Sequence, residues 1–224
     1  GLTLAAYALA LTAGRGRFGW VNATLLLASI AGVGLFAQVE TRAASPLIQV
    51  AILRDPRLGS RLAISSLVST VVMATLVVGP FYLSGALTLD AARVGLVMSA
   101  GPLVAALTGV PAGRMVDRFG ARRMTLAGLI AMAVGTSILP MMPTRSGVPG
   151  YVTPLIIITA GYALFQAANN TAVMANASRN QGGVVSGMLN LSRNLGLITG
   201  ASIMGAVFAF ASGASGALAH HPEA

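Results

Sequence analysis

An all-α, polytopic membrane fold is predicted by three features of this 224-residue chain. It is 55% hydrophobic and only 8% charged, whereas soluble domains carry about 25% charged residues and need them to cover their surface. Its mean hydropathy is +0.81, and its apolar residues gather into runs near the roughly 20 residues that a helix needs to cross hydrocarbon. Between two such runs, the eleven residues from Gly113 to Arg123 hold four arginines, Arg114, Arg118, Arg122 and Arg123, together with Asp117. A charge cluster this dense cannot lie in hydrocarbon. It reads as a short turn between spans, and its arginines favour the cytoplasmic side.

Six runs have spanning length and one is cut short. The first, residues 2–13, is a partial span, and it opens on Gly1 with no basic leader, as expected of the interior of a longer protein. Arg15 and Arg17 then mark a basic glycine turn, with Trp20 suited to the interface. The second span covers residues 21–39. Residues 40–61 are polar and broken at Pro46 and Pro56, and the apolar piece between them is too short to span. It reads as an interfacial segment joining two blocks of helices.

The third span covers residues 62–83, with a bend expected at Gly79-Pro80. Residues 84–89 form a turn in which Thr88 caps the next helix and Asp90 favours its positive end. The fourth span, residues 90–112, carries Gly101, Ala105, Gly109 and Gly113 at every fourth position. That spacing predicts a groove for a close neighbour. Pro102 and Pro111 are expected to kink the same helix. The fifth span covers residues 124–141, the sixth 151–175 and the seventh 184–210. Residues 211–224 read as a polar extracytoplasmic segment before a last helix that is missing.

The fourteen basic residues are all arginine, and the formal charge is +9. Alternating sides from the charged turn puts Arg42, Arg54, Arg57 and Arg61 inside, with the four arginines of the turn, Arg179 and Arg193. Only Arg15, Arg17, Arg93 and Arg145 fall outside, which is the bias expected of a correct count. The positive charge is thus topological. Without a basic face interleaved with aromatics it does not point to nucleic acid. Thiolate metal sites and disulfides are excluded by the absence of Cys. The two histidines, His220 and His221, lie in the tail, and no span holds an acid pair, so the chain does not read as an enzyme and no metal or cofactor is expected.

The intramembrane polar groups are the candidate site. Gln166, Asn169 and Asn170 lie midway along the sixth span, and Ser186, Asn190 and Arg193 follow at helical spacing in the seventh. A charge about ten residues into a span marks a pathway or a paired site, or else snorkels or satisfies helix carbonyls. The amides fit an interhelix hydrogen-bond network as well as a cavity. Gly196 and Gly200 form a GxxxG pair suited to helix packing. In the charged turn, Gly113 permits a tight exit and Gly120 a second turn. Asp117 can bind an arginine or a helix N-terminus in one state of a moving pair.

Gly113-x-x-x-Asp117-Arg118-x-Gly120-x-Arg122 resembles the cytoplasmic signature loop of the major facilitator superfamily, G-x-L-a-D-R-x-G-R-K, with Met115 in place of Leu and Ala121 in place of the first basic residue. The linker from Glu40 to Ile48 and the run from Gly187 to Gly196 resemble parts of the fourteen-span drug:proton antiporters. The resemblance implies two central extra spans (residues 1–39), a linker (40–61) and five helices (62–210) of the second, C-terminal six-helix half, a fragment whose first half is missing. It further implies alternating access in the plasma membrane of a bacterium, with a proton gradient driving efflux of drugs or other amphipathic small molecules. Asp117 and Arg118, Arg122 and Arg123 would latch the cytoplasmic face, and Asn169, Asn190 and Arg193 are cavity candidates. The antiporter signature glycine-proline motif is absent, since Gly79-Pro80 lies in the wrong helix for it. Apart from Asp90 at the very start of the fourth span, the spans hold no acid, so a proton-coupling carboxylate must come from the first half. A non-transporting scaffold or sensor on the same fold, and a nutrient importer, are the other classes consistent with these residues.

Overall fold

The computed structural model describes Tyr7, residues 20–42, 55–175, 177 and 181–218. Among these residues the regular elements are all helical: α1 Trp20–Arg42, α2 Pro56–Gly85, α3 Ala91–Met98, α4 Ala100–Phe119, α5 Ala121–Ile138, α6 Gly147–Met174 and α7 Gly182–Leu218. Short 3-10 turns, Leu139–Met141 and Thr144–Ser146, join α5 to α6. The expected partial first span apart from Tyr7, the basic glycine turn, the interfacial segment, Arg179 and the final six residues lie outside the described residues.

Among the described residues four stretches are long and apolar enough to cross a membrane: Pro56–Gly85, Ala91–Phe119, Ala121–Met141 and Thr144–Met174, with mean hydropathies from 1.5 to 2.1. Only 11% to 39% of each apolar window is buried. Leu103 and Leu107 on α4, and Leu126, Ile130 and Val134 on α5, face outward. Such belts are stable only in hydrocarbon, where helices also satisfy every backbone donor internally. The 37 residues of α7 carry one charge, Arg193.

Helix ends follow local chemistry. Pro56 does not break the chain but opens α2 at its first turn, where a missing N–H costs nothing, and Asp55 caps it by accepting from the Arg57 N–H at 2.8 Å. The expected Thr88 cap is replaced by Asp90, which accepts from the Arg93 N–H at 2.8 Å. Thr88 instead sits at φ 52°, with its hydroxyl on the Leu87 carbonyl. The expected fourth span is divided at Ser99 into α3 and α4. Pro102 explains the interruption, because it cannot donate to the Met98 carbonyl and its ring crowds it. α7 runs as helix to Leu218, beyond the expected end at residue 210.

Three apolar layers stack along the bundle. Leu58, Val173, Val185 and Leu189 join the start of α2, the end of α6 and the start of α7. Val68, Met132 and Phe165 form the middle layer between α2, α5 and α6. Leu83, Val97, Tyr151 and Leu155 close the far end. α6 is therefore the central post, with α4, α5 and α2 packed on it, and α7 pairs mainly with α2.

Small residues set the closest approaches. A Cβ on Gly128 would lie 2.7 Å from the Gly161 carbonyl oxygen and from the Phe165 nitrogen, and one on Gly135 would lie 2.6 Å from Ile158 Cγ1. The α5–α6 seam is thus nearly backbone on backbone, which favours dispersion contacts in lipid. At the far end, a Cβ on Gly79 would overlap the Tyr151 hydroxyl and lie 3.0 Å from Met98 Sδ. The Tyr151 ring cannot swing away, being 2% exposed and stacked on Tyr82 at 5.9 Å. Gly79→Ala is expected to destabilise the protein by about 1–3 kcal/mol despite the better helix propensity of Ala. In Gly79→Ala/Tyr151→Phe the nearest ring atom stands 3.3 Å away, and most of the loss should return. Thermal unfolding of purified protein checks both, and a Gly79→Ala protein as stable as the parent would refute the packing account.

Candidate functional site

The charged segment is less a loop than a helix end. α4 continues through Gly113, Arg114 and Asp117 to Phe119, and α5 begins at Ala121. The turn is confined to Gly120, at φ 86° and ψ 146°, a conformation that residues with a Cβ rarely adopt. Gly113 is therefore not a tight exit. It lies inside the helix with open space where a Cβ would stand, because nothing in residues 113–119 interrupts the i to i−4 ladder.

Asp117 is exposed in the last turn of α4, where the helix dipole disfavours an acid. Arg122 and Arg123 are exposed in the first turn of α5, where it disfavours a cation. Among the described residues Asp117 has no hydrogen bond or ion pair, and the ion pair there is the exposed Asp90–Arg93 contact at 3.7 Å. The Arg118 guanidinium lies over the Phe119 ring, 5.3 Å from its centroid. Local helix electrostatics do not account for this charge pattern.

The glycine stripe of α4 receives no close neighbour among the described residues. Gly101, Gly109 and Gly113 have no atom within 4 Å of a Cβ position. Gly101 and Ala105 instead line a cleft of about 190 Å³ between α2, α4 and α6. Val72, Leu76 and Leu155 make its walls largely apolar, and Thr75, Thr159 and Tyr162 are the lining residues that carry hydroxyls. An apolar cavity with few polar groups is the general form of a small-molecule site.

At the Gly120 end of the bundle, Arg193 on α7 donates through Nη2 to Asn170 Oδ1 on α6. Arg193 is half-buried, and its Nε is buried without a partner among the described residues. Asn169 is 2% exposed, and its Nδ2 is likewise buried and unpartnered. Gln166 is half-buried on the same helix, whereas Asn190 is exposed and is not drawn into this cluster. Gly196 and Gly200 stand at the α7–α2 contact: a Cβ on Gly196 would overlap the Ser66 carbonyl oxygen, and one on Gly200 would lie 2.5 Å from the Thr70 carbonyl oxygen. Thr70 Oγ1 donates to the Gly196 carbonyl at 3.0 Å, and Ser192 Oγ donates to the Leu62 carbonyl.

Gly101, Pro102 and Ala105 of the cleft stand out in the sequence, whereas Thr75, Thr159, Tyr162 and the Gly128–Gly135–Gly161 seam do not. Two signals were present. Gly128 and Gly135 are seven residues apart and so share a face, and Thr159, Tyr162, Gln166 and Asn170 recur at spacings of three and four along α6.

A family model for the Major Facilitator Superfamily matches residues 1–201. The chain belongs to that superfamily. As a superfamily member with membrane-length helices and bacterial relatives, it is a multi-pass protein of the bacterial plasma membrane and not an enzyme. It is similar to the uncharacterized transporter YebQ of Escherichia coli, with 29% identity over 184 residues covering 82% of this chain and 40% of that protein. It is also similar to the drug efflux pump JefA of Mycobacterium tuberculosis, 29% identical over 197 residues covering 88% of this chain and 38% of that protein. The lincomycin resistance protein LmrB of Listeria monocytogenes is 29% identical over 122 residues, covering 53% of this chain and 26% of that protein. The chain thus spans about two-fifths of the length of YebQ and JefA.

Proposed function

We propose that this chain forms part of a secondary transporter that exports drugs or other amphipathic small molecules by alternating access, driven by protons. In this reading residues 1–39 are two central extra spans, a cytoplasmic linker follows them, and residues 56–218 hold five helices of the second half. The observation that carries the reading is the cleft between α2, α4 and α6, apolar on most of its lining and edged by Thr75, Thr159 and Tyr162. It suits a compound with an apolar body and a few polar atoms better than a hydrophilic nutrient, which needs many fixed polar contacts. The relatives JefA and LmrB, named for drug efflux and lincomycin resistance, support the export direction. Asp117 and the arginines around Gly120 serve as a latch to the partner half. The coupling carboxylate is supplied from outside residues 56–218, whose only acids are Asp90 and Asp117 at helix ends.

The experiment is accumulation of the neutral dye Nile red in cells expressing the full-length protein, with and without an uncoupler. Expression should lower accumulation, and the uncoupler should erase the difference. Accumulation raised by expression would instead mean uptake, and no change at all would favour the scaffold. Export that survives the uncoupler would remove the proton from the mechanism.

A further inference from the structure

The cleft and Arg193 are connected by one face of α6. Thr159, Tyr162, Gln166 and Asn170 follow one another at three- and four-residue steps, and all four are partly exposed. They form a polar ladder about 16 Å long at the helical rise per residue. Its upper end edges the apolar cleft, and its lower end is the amide that holds Arg193.

The lower end is rich in donors and poor in acceptors. A guanidinium carries five N–H donors and no acceptor. One of them goes to Asn170 Oδ1, while the buried Nε–H of Arg193 and the buried Nδ2 of Asn169 have no acceptor among the described residues. Buried donors without acceptors are costly, and a buried cation without a counter-charge more so. Arg193 is tied to Asn170 on the neighbouring helix. It lies one turn deeper than Leu189, beyond the apolar layer of Leu58, Val173, Val185 and Leu189. Arg193 has no ion pair among the described residues: Asp55 and Asp90 cap α2 and α3, and Asp117 is exposed at the end of α4.

Resting on the transporter reading above, we propose that Arg193, with the Asn169 and Asn170 amides, is the receptor for the carboxylate of an amphipathic anionic substrate whose apolar body occupies the cleft. A carboxylate supplies the missing acceptors and matches the planar fork of a guanidinium. A lipophilic cation would meet Arg193 with no acid paired to it among the described residues. The ladder length suits a medium-chain amphiphile, whose head and body would be held at its two ends.

The test uses the full-length protein in detergent and three fluorescent probes on one scaffold: dansylaminoundecanoate, its methyl ester, and the trimethylammonium analogue. In the parent the carboxylate should bind about tenfold more tightly than the ester, the value of one charge-assisted contact. In Arg193→Gln that ratio should fall to within about twofold. Asn170→Asp, nearly isosteric and able to keep the link to Arg193, guards against misfolding of the first variant: its carboxylate should occupy the guanidinium internally and remove the preference. Equal binding of carboxylate and ester in the parent would overturn the anion assignment while leaving transport intact. A preference that persists in both variants would make Arg193 a structural tie only. Binding of none of the three probes would overturn the transporter reading and this proposal with it.

Discussion

Gly196→Val is expected to cost about 3 kcal/mol or more and to lower the melting temperature of the purified protein by roughly 6–12 °C. The added Cβ alone would overlap the Ser66 carbonyl oxygen and stand 2.8 Å from Ser69 Cβ, and the two further methyl groups have nowhere to go. The obstruction is backbone, which cannot rotate out of the way as a side-chain tip can. The only relief is to move α7 off α2. That would break the Thr70 bond to the Gly196 carbonyl at 3.0 Å and the Ser192 bond to the Leu62 carbonyl, both of which cross the same seam. The seam also holds Arg193 in register with Asn170, so the loss should extend from stability to the polar cluster. Gly205→Val is the control, because Gly205 lies on the same helix with no atom within 4 Å of its Cβ position. It should change stability by no more than about 0.5 kcal/mol. Equal tolerance of the two substitutions would show that close approach at Gly196 is not what joins α7 to α2.

What was legible in the sequence was whatever hydrocarbon enforces. Runs of spanning length and a dense arginine cluster leave few choices in a medium that hydrates neither backbone nor charge, so the helical class followed from composition and spacing. Helix ends were less legible because they are decided by single residues. Asp55 with Pro56 starts α2 earlier than hydropathy suggests, and Pro102 divides the expected fourth span at Ser99. The arginine cluster reads as a turn, yet residues 113–119 are helical, since charged side chains at a membrane surface do not disrupt a helix and only Gly120 has the backbone of a turn. Small-residue spacing identified surfaces without saying which are filled. Gly101 and Gly109 of the α4 stripe border open space, while Gly128, Gly135 and Gly161 are in tight contact. Gly cannot reveal its neighbour, because the contact is defined by the other helix. The same holds for the polar residues: position on α6 and α7 predicted Asn170 and Arg193 as candidates, but only the fold shows that they meet and that Asn190 stays apart.

Asp117→Asn in the full-length protein is expected to reduce Nile red export at least about tenfold, with expression and melting temperature close to those of the parent. Asp117 occupies the negative end of the α4 dipole, and among the described residues it has no cation or donor to offset that. Removing its charge should therefore cost the described bundle nothing and should slightly favour the end of α4. If the carboxylate binds donors of the partner half in one conformation only, the substitution weakens that conformation selectively. Hydrogen bonds to a charged group contribute about 1.5–3 kcal/mol, enough to change the ratio of two states by roughly ten- to a hundredfold. Transport, which needs both states, would then fall although the protein folds normally. The neighbouring arginines give a directional check: Arg118→Gln should weaken export less, because part of its side chain is already engaged on the Phe119 ring at 5.3 Å. Export at the parental rate in Asp117→Asn would remove the latch and leave the segment a topological signal. A fall in export accompanied by equal loss of folded protein would assign Asp117 to stability instead. The discriminating quantity is thus the transport rate per folded molecule, measured beside the melting temperature of the same preparation.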